Sequence, residues 1–513
     1  MTALDEIQRD GPVVAERPAP GTPRPYDFPA VSSTKLSNGV HVLVADLPGR
    51  PLVSATVVLP VGAADEPAAV AGSAVLAARA LTEGTDRFDA VGLTEAGERL
   101  GASLHAEAGW DATTIGLDVP ASRLESALEL LAEVLLHPTF PADEVDRLRD
   151  ERLNDLLQAK ADPRRRADEA YIGTIYADGS PYHRPSGGTS DTVATLDRDA
   201  LRRAYDRALD PARATLVVAG DLGGQDVIGI AERLLGSWAA PTAAAGAPIV
   251  DTPTSNGRIV RVIHRPGSVQ TEIRIGHVGL PRRIEDFHAV SVMSAILGGL
   301  FNSRLNMQLR EEKGYTYGAS AGFDLRRAAG PFTARAAVNT EVTVPAVIDT
   351  IAELERMRDE PITDDELAAA RDFLVGVFPL RFETAGAVVG ALAGLAVHGL
   401  PISELVDYRS HIEAVDVAAV AAAARDHLLV DRASIVLVGD ADAFGSALEE
   451  AGLGTIVVER DEGPQVAAPE AEGIGPVDDD AETGPTAGAE EPDLAGTADD
   501  PVAADTTNDG AEA

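Results

Sequence analysis

The chain carries the same succession of predicted elements in each of its two halves, and this repeat constrains the fold most. In each half a proline follows an amphipathic helix pattern, a second helix then begins with acidic residues, and a later strand ends in Gly-Asp. The strand ends at Gly220 and Gly439 lie 219 positions apart. The acidic helix starts at Glu144 and Glu366 lie 222 positions apart. These nearly constant offsets predict a duplication, with two unrelated α/β segments in an alanine-rich chain as the alternative.

Each half also opens with two predicted strands joined by a tight turn. Asn38-Gly39 forms the turn in the first half, and Pro266-Gly267 forms it in the second. Strand-rich blocks that are followed by helix-rich blocks favour an α+β fold in which helices pack on a sheet. We therefore predict two homologous halves, each a β-sheet with helices packed on it.

Composition sets the predicted domain boundaries. Residues 1–30 are rich in proline and charge and are predicted to be a flexible segment, and the first half then covers 31–238. A Pro/Ala/Thr-rich linker is predicted at 239–256, followed by the second half at 257–455. Residues 456–513 are predicted to form an acidic disordered tail, because they hold too few apolar side chains to offset the entropy of the chain.

The charge and the residue types that are missing exclude several classes of function. The 513 residues carry a formal net charge of −39, of which −16 falls on residues 461–513. Because phosphate backbones bind through Lys and Arg, we expect neither a nucleic-acid partner nor a membrane partner. The sequence contains no Cys, which excludes disulfides and thiol chemistry. It shows no signal pattern and no apolar run of about 18 residues, so we predict a cytoplasmic protein.

Common catalytic motifs are missing from the sequence. Zinc hydrolases usually draw on two His one helical turn apart, yet the closest two of the ten His here, His277 and His288, are 11 positions apart. The sequence has no Gly-x-Ser-x-Gly elbow and no phosphate-binding loop of the Gly-x-x-x-x-Gly-Lys type. A zinc site built from distant His stays open at this point.

One segment, residues 298–324, combines a glycine pair, an Arg-rich helical stretch and a predicted strand. Arg310 and Tyr317 lie seven positions apart, so both can project into one cleft. Together they can donate hydrogen bonds to a carbonyl oxygen or to the oxyanion that it becomes. On these residues alone, a salt-bridged Arg and a packed Tyr are the simpler interpretation.

This segment resembles the second-half motif of the insulinase/pitrilysin-type metallopeptidases, the family of mitochondrial processing peptidase and the bc1-complex core proteins. The matching residues are Gly298, Gly299, Asn302, Ser303, Arg304 and Leu305, followed by the run Leu309–Tyr317. The resemblance covers about residues 32–450. It implies two α+β halves that enclose a peptide chamber, with Arg310 and Tyr317 as catalytic residues. It also implies a substrate-binding role for Gly298, Gly299, Asn302, Ser303 and Arg304.

The first half departs from the family pattern. Catalytic members carry a His-x-x-Glu-His helix and a further zinc-ligand Glu about 75 residues on. Counted back from Gly84-Thr85, the motif positions hold Val75, Ala78 and Arg79, and the distal ligand falls near Asn154-Asp155. Val cannot bind zinc, Ala cannot act as a base, and a permanently cationic Arg repels the metal. The resemblance therefore implies that this chain binds no zinc and no other cofactor.

The resemblance as a whole implies a catalytically degenerate subunit of a heterodimeric zinc metallopeptidase, inactive alone. Its partner is expected to be a homologous chain that carries His-x-x-Glu-His and zinc, while this chain offers Arg310 and Tyr317 to the peptide. The acidic charge favours basic peptide substrates. The alternative is a non-proteolytic scaffold or peptide-binding protein like the bc1 core proteins.

Overall fold

The computed structural model describes residues 21, 24–239, 249–254 and 257–460, and these residues form two six-stranded mixed sheets. The first sheet consists of β1 (Val31–Lys35), β2 (His41–Asp46), β3 (Leu52–Leu59), β4 (Ser103–Ala108), β5 (Thr113–Pro120) and β6 (Thr215–Gly220). The second consists of β7 (Ile259–His264), β8 (Gln270–Val278), β9 (Ala319–Phe323), β10 (Pro331–Asn339), β11 (Ser434–Gly439) and β12 (Thr455–Arg460).

The strand orders confirm the predicted duplication. The first sheet has the order β1-β2-β6-β3-β5-β4, and the second has the order β12-β7-β11-β8-β10-β9. Five strands of each sheet therefore correspond one to one, and Gly220 and Gly439 end equivalent strands. Both predicted turns also form, because Gly39 and Gly267 adopt φ values of +98° and +73° that favour glycine. They are not equivalent, which corrects the prediction that the two halves open alike: the turn at Gly39 joins β1 to β2, whereas the turn at Gly267 joins β7 to β8, the counterparts of β2 and β3.

The sixth strand of each sheet has a different origin. β1 comes from before the repeat and pairs antiparallel with β2, whereas β12 follows the repeat and pairs parallel with β7. β12 corrects the predicted boundary at residue 455, because backbone pairing extends the second half to Arg460. The rest of the predicted tail, residues 461–513, lies outside the described residues.

Helices surround the two sheets. Those of the first half are α1 (Ser73–Ala80), α2 (Ala90–Leu100), α3 (Leu124–Leu136), α4 (Ala142–Ala161), α5 (Pro163–Ile175), α6 (Ser190–Val193), α7 (Arg198–Ala208) and α8 (Val227–Leu235). Those of the second half are α9 (Phe287–Ser294), α10 (Arg304–Asn306), α11 (Thr343–Asp359), α12 (Asp364–Val377), α13 (Ala385–His398), α14 (Ser403–Val406), α15 (Tyr408–Ala414), α16 (Val417–His427) and α17 (Ala441–Ala451). Two π-helical turns, Ala295–Gly299 and Met307–Glu312, lie on either side of α10.

Each half gives one helix to the sheet of the other half. α5 packs on β8 and β11 of the second sheet, where its Ala170 and Tyr171 join a buried cluster with Val436. α13 packs in the same way on β3 and β6 of the first sheet, where its Leu392 joins a buried cluster with Val217. This exchange places the two halves in direct contact, and each half buries apolar side chains that the other half needs as a cover.

Charged contacts reinforce the exchange. Arg274 on β8 is 2 % exposed, and its Nε lies 2.5 Å from the carboxylate of Asp168 on α5. Arg327, in the connection between β9 and β10, crosses to the first half, where its Nη2 lies 2.7 Å from the carboxylate of Asp65. Such contacts fix the orientation of one half on the other, since an uncompensated buried charge is costly.

The predicted flexible segment and the predicted linker are partly ordered. Phe28 is buried, and its ring packs edge-on against Phe382 of the second half with the centroids 5.0 Å apart. The prediction of a loose segment up to residue 30 is therefore wrong for the stretch around this aromatic contact. In the linker, Thr254 donates its backbone N–H to the carbonyl of Ile175 at 2.8 Å. Residues 1–20, 22–23, 240–248 and 255–256 lie outside the described residues.

The length and the apolar character of the helices bear on whether the chain could cross a membrane. Among the residues that the structure describes, no single helix is both long enough and apolar enough to cross a bilayer. One pair, Asp364–Phe382 with Ala385–His398, meets these criteria jointly but is bent by 113°. The cytoplasmic location stays a prediction.

Candidate functional site

The three degenerate positions lie together on α1, as the sequence predicts. α1 packs against α4 and α7 of the first half. Ala78 is fully buried, Val75 is half-buried, and Arg79 is exposed. At the predicted position of the general base there is consequently a methyl group with no access to solvent.

A buried carboxylate holds the start of this helix. Glu66 accepts hydrogen bonds from the backbone N–H of Gly72 at 2.9 Å, from the hydroxyl of Ser73 at 3.1 Å and from the N–H of Ala74. Burial raises the pKa of Glu66, while these donors act in the opposite direction. Glu66 is therefore fully engaged as a helix cap and is not free to act on a substrate.

Ion pairs link α1, α4 and α5 around the positions where the resemblance predicts the family's metal ligands. The pairs of this cluster are Arg79–Glu151, Arg147–Glu83, Arg147–Glu144, Arg147–Glu151, Arg152–Asp155 and Arg165–Asp155. Arg79 Nη2 lies 2.9 Å from Glu151 Oε2, and this contact joins α1 to α4. At the predicted distal position, Asp155 is already bound by two guanidinium groups.

These residues do not fit a zinc ion. A zinc site needs neutral imidazole or anionic ligands that converge on one point, whereas the cluster offers four Arg and four acids that neutralise one another. No step of a reaction at this place can be assigned to a metal held by this chain.

A second group, His264, Asp440 and Asp442, brings its possible ligand atoms within 4.8 Å of one another. His264 Nδ1 accepts the N–H of Ala441 at 3.1 Å, so the ring proton sits on Nε2, the nitrogen that faces Asp442 at 3.6 Å. A protonated nitrogen has no lone pair for a metal.

The duplication gives this group a structural explanation. In the first half, Asp46 stands at the position of His264, and its carboxylate accepts the N–H of Leu222 at 3.0 Å in the same manner. Asp221 and Asp440 likewise accept the N–H of the turn glycines Gly49 and Gly267. The group thus closes a turn at the end of each sheet.

In the second half, the glycine pair is required by packing. A Cβ on Gly298 would lie 2.2 Å from the backbone nitrogen of Ala321 on β9, and one on Gly299 would lie 3.2 Å from the carbonyl oxygen of Ser294. The π-helical turn at Ala295–Gly299 can approach β9 this closely because side chains are missing there. The predicted substrate-binding role of both glycines stays a prediction.

The polar residues that follow the glycines are also engaged within the fold. Ser303 is buried and accepts a hydrogen bond from the amide of Asn306 at 3.2 Å, whereas Asn302 is exposed. Arg304 donates to both carboxylate oxygens of Glu366 on α12, at 2.6 and 3.0 Å. This contact lowers the pKa of Glu366 to about 2. Arg304 therefore has a clear structural role, and its contact with a substrate stays a prediction.

Arg310 and Tyr317 lie in very different settings, since the side chain of Arg310 is largely covered and that of Tyr317 is exposed. The guanidinium of Arg310 stacks on the ring of Phe301 at 3.6 Å, and its Nε donates to Glu311 Oε1 at 3.0 Å. Tyr317 is 96 % exposed, and Phe301 is 78 % exposed. Between these two described residues, Arg310 and Tyr317, the structure gives no hydrogen bond and no ring contact. Their catalytic roles stay predictions.

Sequence reasoning missed the neighbours that hold these side chains. Phe301 lies inside the matched motif and Glu311 follows Arg310 directly, so their proximity was available as a signal. The spacing of Arg147 and Glu151, one helical turn apart, was readable too. The pair Arg79–Glu151 was not, because 72 positions separate its members.

The chain has two sheet-and-helix halves of the same topology. The first half has a helix without the family's predicted ligand residues, and the second half keeps the Arg/Tyr segment. These features define a two-half, peptidase-like protein. Residues 41–182 match the family model for insulinase (peptidase family M16), and residues 195–374 match the model for the peptidase M16 inactive domain. Together these matches cover more than half of the chain. The chain belongs to peptidase family M16, which confirms the resemblance seen in the sequence, and it is a degenerate member of that family.

Curated relatives share most of this length. An uncharacterized zinc protease of Mycobacterium tuberculosis is 27% identical over 79% of this chain and 92% of its own. An uncharacterized zinc protease of Streptomyces coelicolor is 25% identical over 80% of this chain and 89% of its own. A protein of Helicobacter pylori named a non-peptidase homolog is 24% identical over 65% of this chain and 76% of its own.

Solved structures have the same fold. A peptidase M16 inactive domain from Pseudomonas fluorescens superposes with a TM-score of 0.73 at 27% identity, covering 80% of this chain and 98% of the other. A protease from Helicobacter pylori superposes with a TM-score of 0.75 at 19% identity, covering 81% of this chain and 100% of the other.

Proposed function

We propose that this chain is the zinc-free subunit of a two-chain M16 peptidase and supplies Arg310 and Tyr317 to a peptide held against a zinc-bearing homologue. One observation carries the proposal. Of the predicted ligand positions on α1, Arg79 is held in an ion pair with Glu151, whereas the matched motif of the second half has Tyr317 96 % exposed and Arg310 stacked on Phe301. Aromatic side chains are enriched where proteins meet their partners.

Arg and Tyr suit the chemistry that falls to this chain. When a peptide carbonyl becomes tetrahedral its oxygen gains negative charge, and hydrogen-bond donors placed in advance stabilise that charge. The guanidinium of Arg310 is permanently charged, and the phenol of Tyr317 is a donor at neutral pH. Zinc and the water-activating Glu are assigned to the partner.

The surface at the edge of the first sheet favours an extended basic peptide. β4 is an edge strand whose alternate side chains, including His105 and Glu107, are exposed. Asp118 on the neighbouring β5 is exposed on the same face. A peptide can add to such an edge through its backbone, while the carboxylates attract Lys or Arg. The predicted peptide chamber would then lie along this edge.

A scaffold function is the second candidate, and a specific observation favours it. Gly298, Ser303 and Arg304 each have a packing or ion-pairing role in the described fold. Retention of most of the motif is therefore explained without any catalysis. The two candidates differ only in what Arg310 and Tyr317 do in the assembled pair.

Co-expression with a homologue that carries His-x-x-Glu-His tests the proposal. We expect the isolated chain to hold no stoichiometric zinc by elemental analysis and to cleave nothing, while the pair cleaves a fluorogenic peptide with paired arginines. In the pair, Arg310→Ala and Tyr317→Phe should lower turnover about 10- to 1000-fold, the scale for a lost oxyanion donor. Arg283→Ala and Tyr315→Phe serve as matched controls. A pair that forms and never cleaves would favour the scaffold.

Lysine chemistry can locate the interface independently of activity. The sequence has three Lys, all exposed: Lys35 on β1, Lys160 on α4 and Lys313 in the motif. Since Lys313 lies four residues before Tyr317, an amine-reactive cross-linker should join it to the partner. Lys35, on the far edge of the first sheet from β4, should remain unlinked. Cross-links at Lys35 without any at Lys313 would overturn the proposed orientation.

A further inference from the structure

The guanidinium of Arg310 is held on two of its edges and on one face. Its Nε and Nη2 both lie near Glu311 Oε1, at 3.0 and 2.8 Å. Nη2 also donates to the backbone carbonyl of Phe301 at 3.2 Å, and the ring of Phe301 covers the guanidinium face at 3.6 Å. The side chain of Arg310 is only 16 % exposed, although the residues around it lie at the surface.

One edge of the guanidinium has no such contact. Among the residues that the structure describes, no hydrogen bond is made by Nη1, and Arg310 has no further ion pair. The two N–H groups on Nη1 are therefore the donors that remain for a ligand. A planar, five-donor group that is fixed on its other edges presents these two donors in one direction.

Such fixation matters because a free arginine side chain has many rotamers. A donor that must first be ordered by the substrate contributes less than one that is already ordered. Stacking on an aromatic face is specific to the planar guanidinium, and the bridging carboxylate sets its rotation about that face. Neither contact is needed for the fold, since Phe301 is 78 % exposed and Glu311 is half-exposed.

We propose that Phe301 and Glu311 are positioning residues that hold Arg310 so that its Nη1 edge faces the peptide carbonyl. This inference rests on the proposed function and deepens it by naming the groups that orient the donor. Phe301 acts through its ring and its carbonyl, and Glu311 acts through one carboxylate oxygen.

Labelling of the isolated full chain with phenylglyoxal, quantified by peptide mass spectrometry, tests whether Phe301 holds Arg310 in place. This experiment needs no partner chain. Phe301→Leu should raise the labelling rate of Arg310 about threefold, since it removes the stacking but leaves the backbone carbonyl. Phe301→Tyr should leave the rate unchanged, because a second aromatic ring restores the stack. Arg283, exposed on another surface, provides the internal control. Equal rates at Arg310 in all three proteins would overturn the inference.

The kinetics of the reconstituted pair test whether Phe301 and Glu311 position Arg310 for catalysis. With the fluorogenic paired-arginine peptide, Phe301→Leu and Glu311→Ala should each lower kcat about tenfold with KM within twofold, while Phe301→Tyr keeps the wild-type kcat. An active pair whose kcat is unaffected by both changes would overturn this inference alone. A wild-type pair that cleaves nothing would overturn the proposed function and this inference with it.

Discussion

The two halves of this molecule have the same five-strand arrangement, but their candidate functional segments differ in ion pairing and in exposure. In the first half, Arg79 at a ligand position is tied to Glu151, and the side chain of Ala78 is fully buried. In the second half, the motif leaves Tyr317 exposed and holds Arg310 at its edges. The contrast teaches that two units with the same strand topology can differ in which of their charged and aromatic side chains remain exposed.

The exchanged helices give the largest predicted effect. Leu392 on α13 is fully buried against the first sheet, so Leu392→Ala should lower the free energy of unfolding by about 2–5 kcal/mol in urea titrations. Hydrogen exchange should accelerate in β2 and β6 of the first half as well as in α13. Leu380→Ala, at a 62 % exposed site, is the control with little change. Faster exchange confined to the second half would show that the halves are energetically independent.

A buried histidine makes the second half sensitive to acid. His277 donates from Nδ1 to the carbonyl of Val278 and accepts the N–H of Leu429 at Nε2, and burial lowers its pKa to about 4. Unfolded chain binds the proton between pH 6.5 and 4 whereas the folded chain does not, so stability should fall as pH decreases through this window. The loss should reach about 3 kcal/mol.

The first half supplies the matched control for this effect. The pairing of β3 with β6 and of β8 with β11 places Leu59 at the position of His277. His277→Leu should therefore remove this part of the pH dependence, while it lowers stability at pH 7.5 by about 1–3 kcal/mol because the Leu429 N–H loses its acceptor. Urea titrations at pH 7.5 and 5 measure both effects. An unchanged pH dependence in the variant would assign it to other groups.

The smallest effect is expected at Arg79, a predicted ligand position of the family. Arg79 and Glu151 are both 44 % exposed, so Arg79→Ala should change stability by less than about 1 kcal/mol. Zinc should still be missing from the purified variant by elemental analysis. Stoichiometric zinc in Arg79→Ala would show that the arginine alone had prevented zinc from binding. The difference between the two halves would then rest on this one side chain.

Local patterns in the sequence predicted local structure well. The Asn38-Gly39 turn and the buried leucine face of α3 both formed, because turn chemistry and periodicity act over a few residues. In α11, Ile348 lies at helical spacing from the buried Val344 and Ile351, yet its own side chain is 44 % exposed. Periodicity identifies the apolar face of a helix, but it does not show how much of that face is covered by other elements.

Turn chemistry and periodicity did not predict which elements pack together over long distances in the sequence. α13 is an apolar stretch of the sequence, but nothing local in it indicates that the sheet beneath it belongs to the other half. Of the candidate site, the resemblance supplied the predicted degenerate positions, which lie on α1, and the Arg/Tyr segment, but it did not predict that Tyr317 is 96 % exposed. The ion-pair cluster around Arg79 and the stacking of Phe301 on Arg310 depend on tertiary contacts that a single sequence does not encode visibly.

The exchange of α5 and α13 also has a consequence for biosynthesis. The first sheet is fully translated when β6 ends at Gly220, but the helix that covers its second face begins at Ala385. At about 5–20 residues per second, roughly ten to thirty seconds pass on the ribosome before that cover exists. During this interval the nascent first half exposes Leu43, Val217 and Ala219, which makes it a natural client for a holding chaperone.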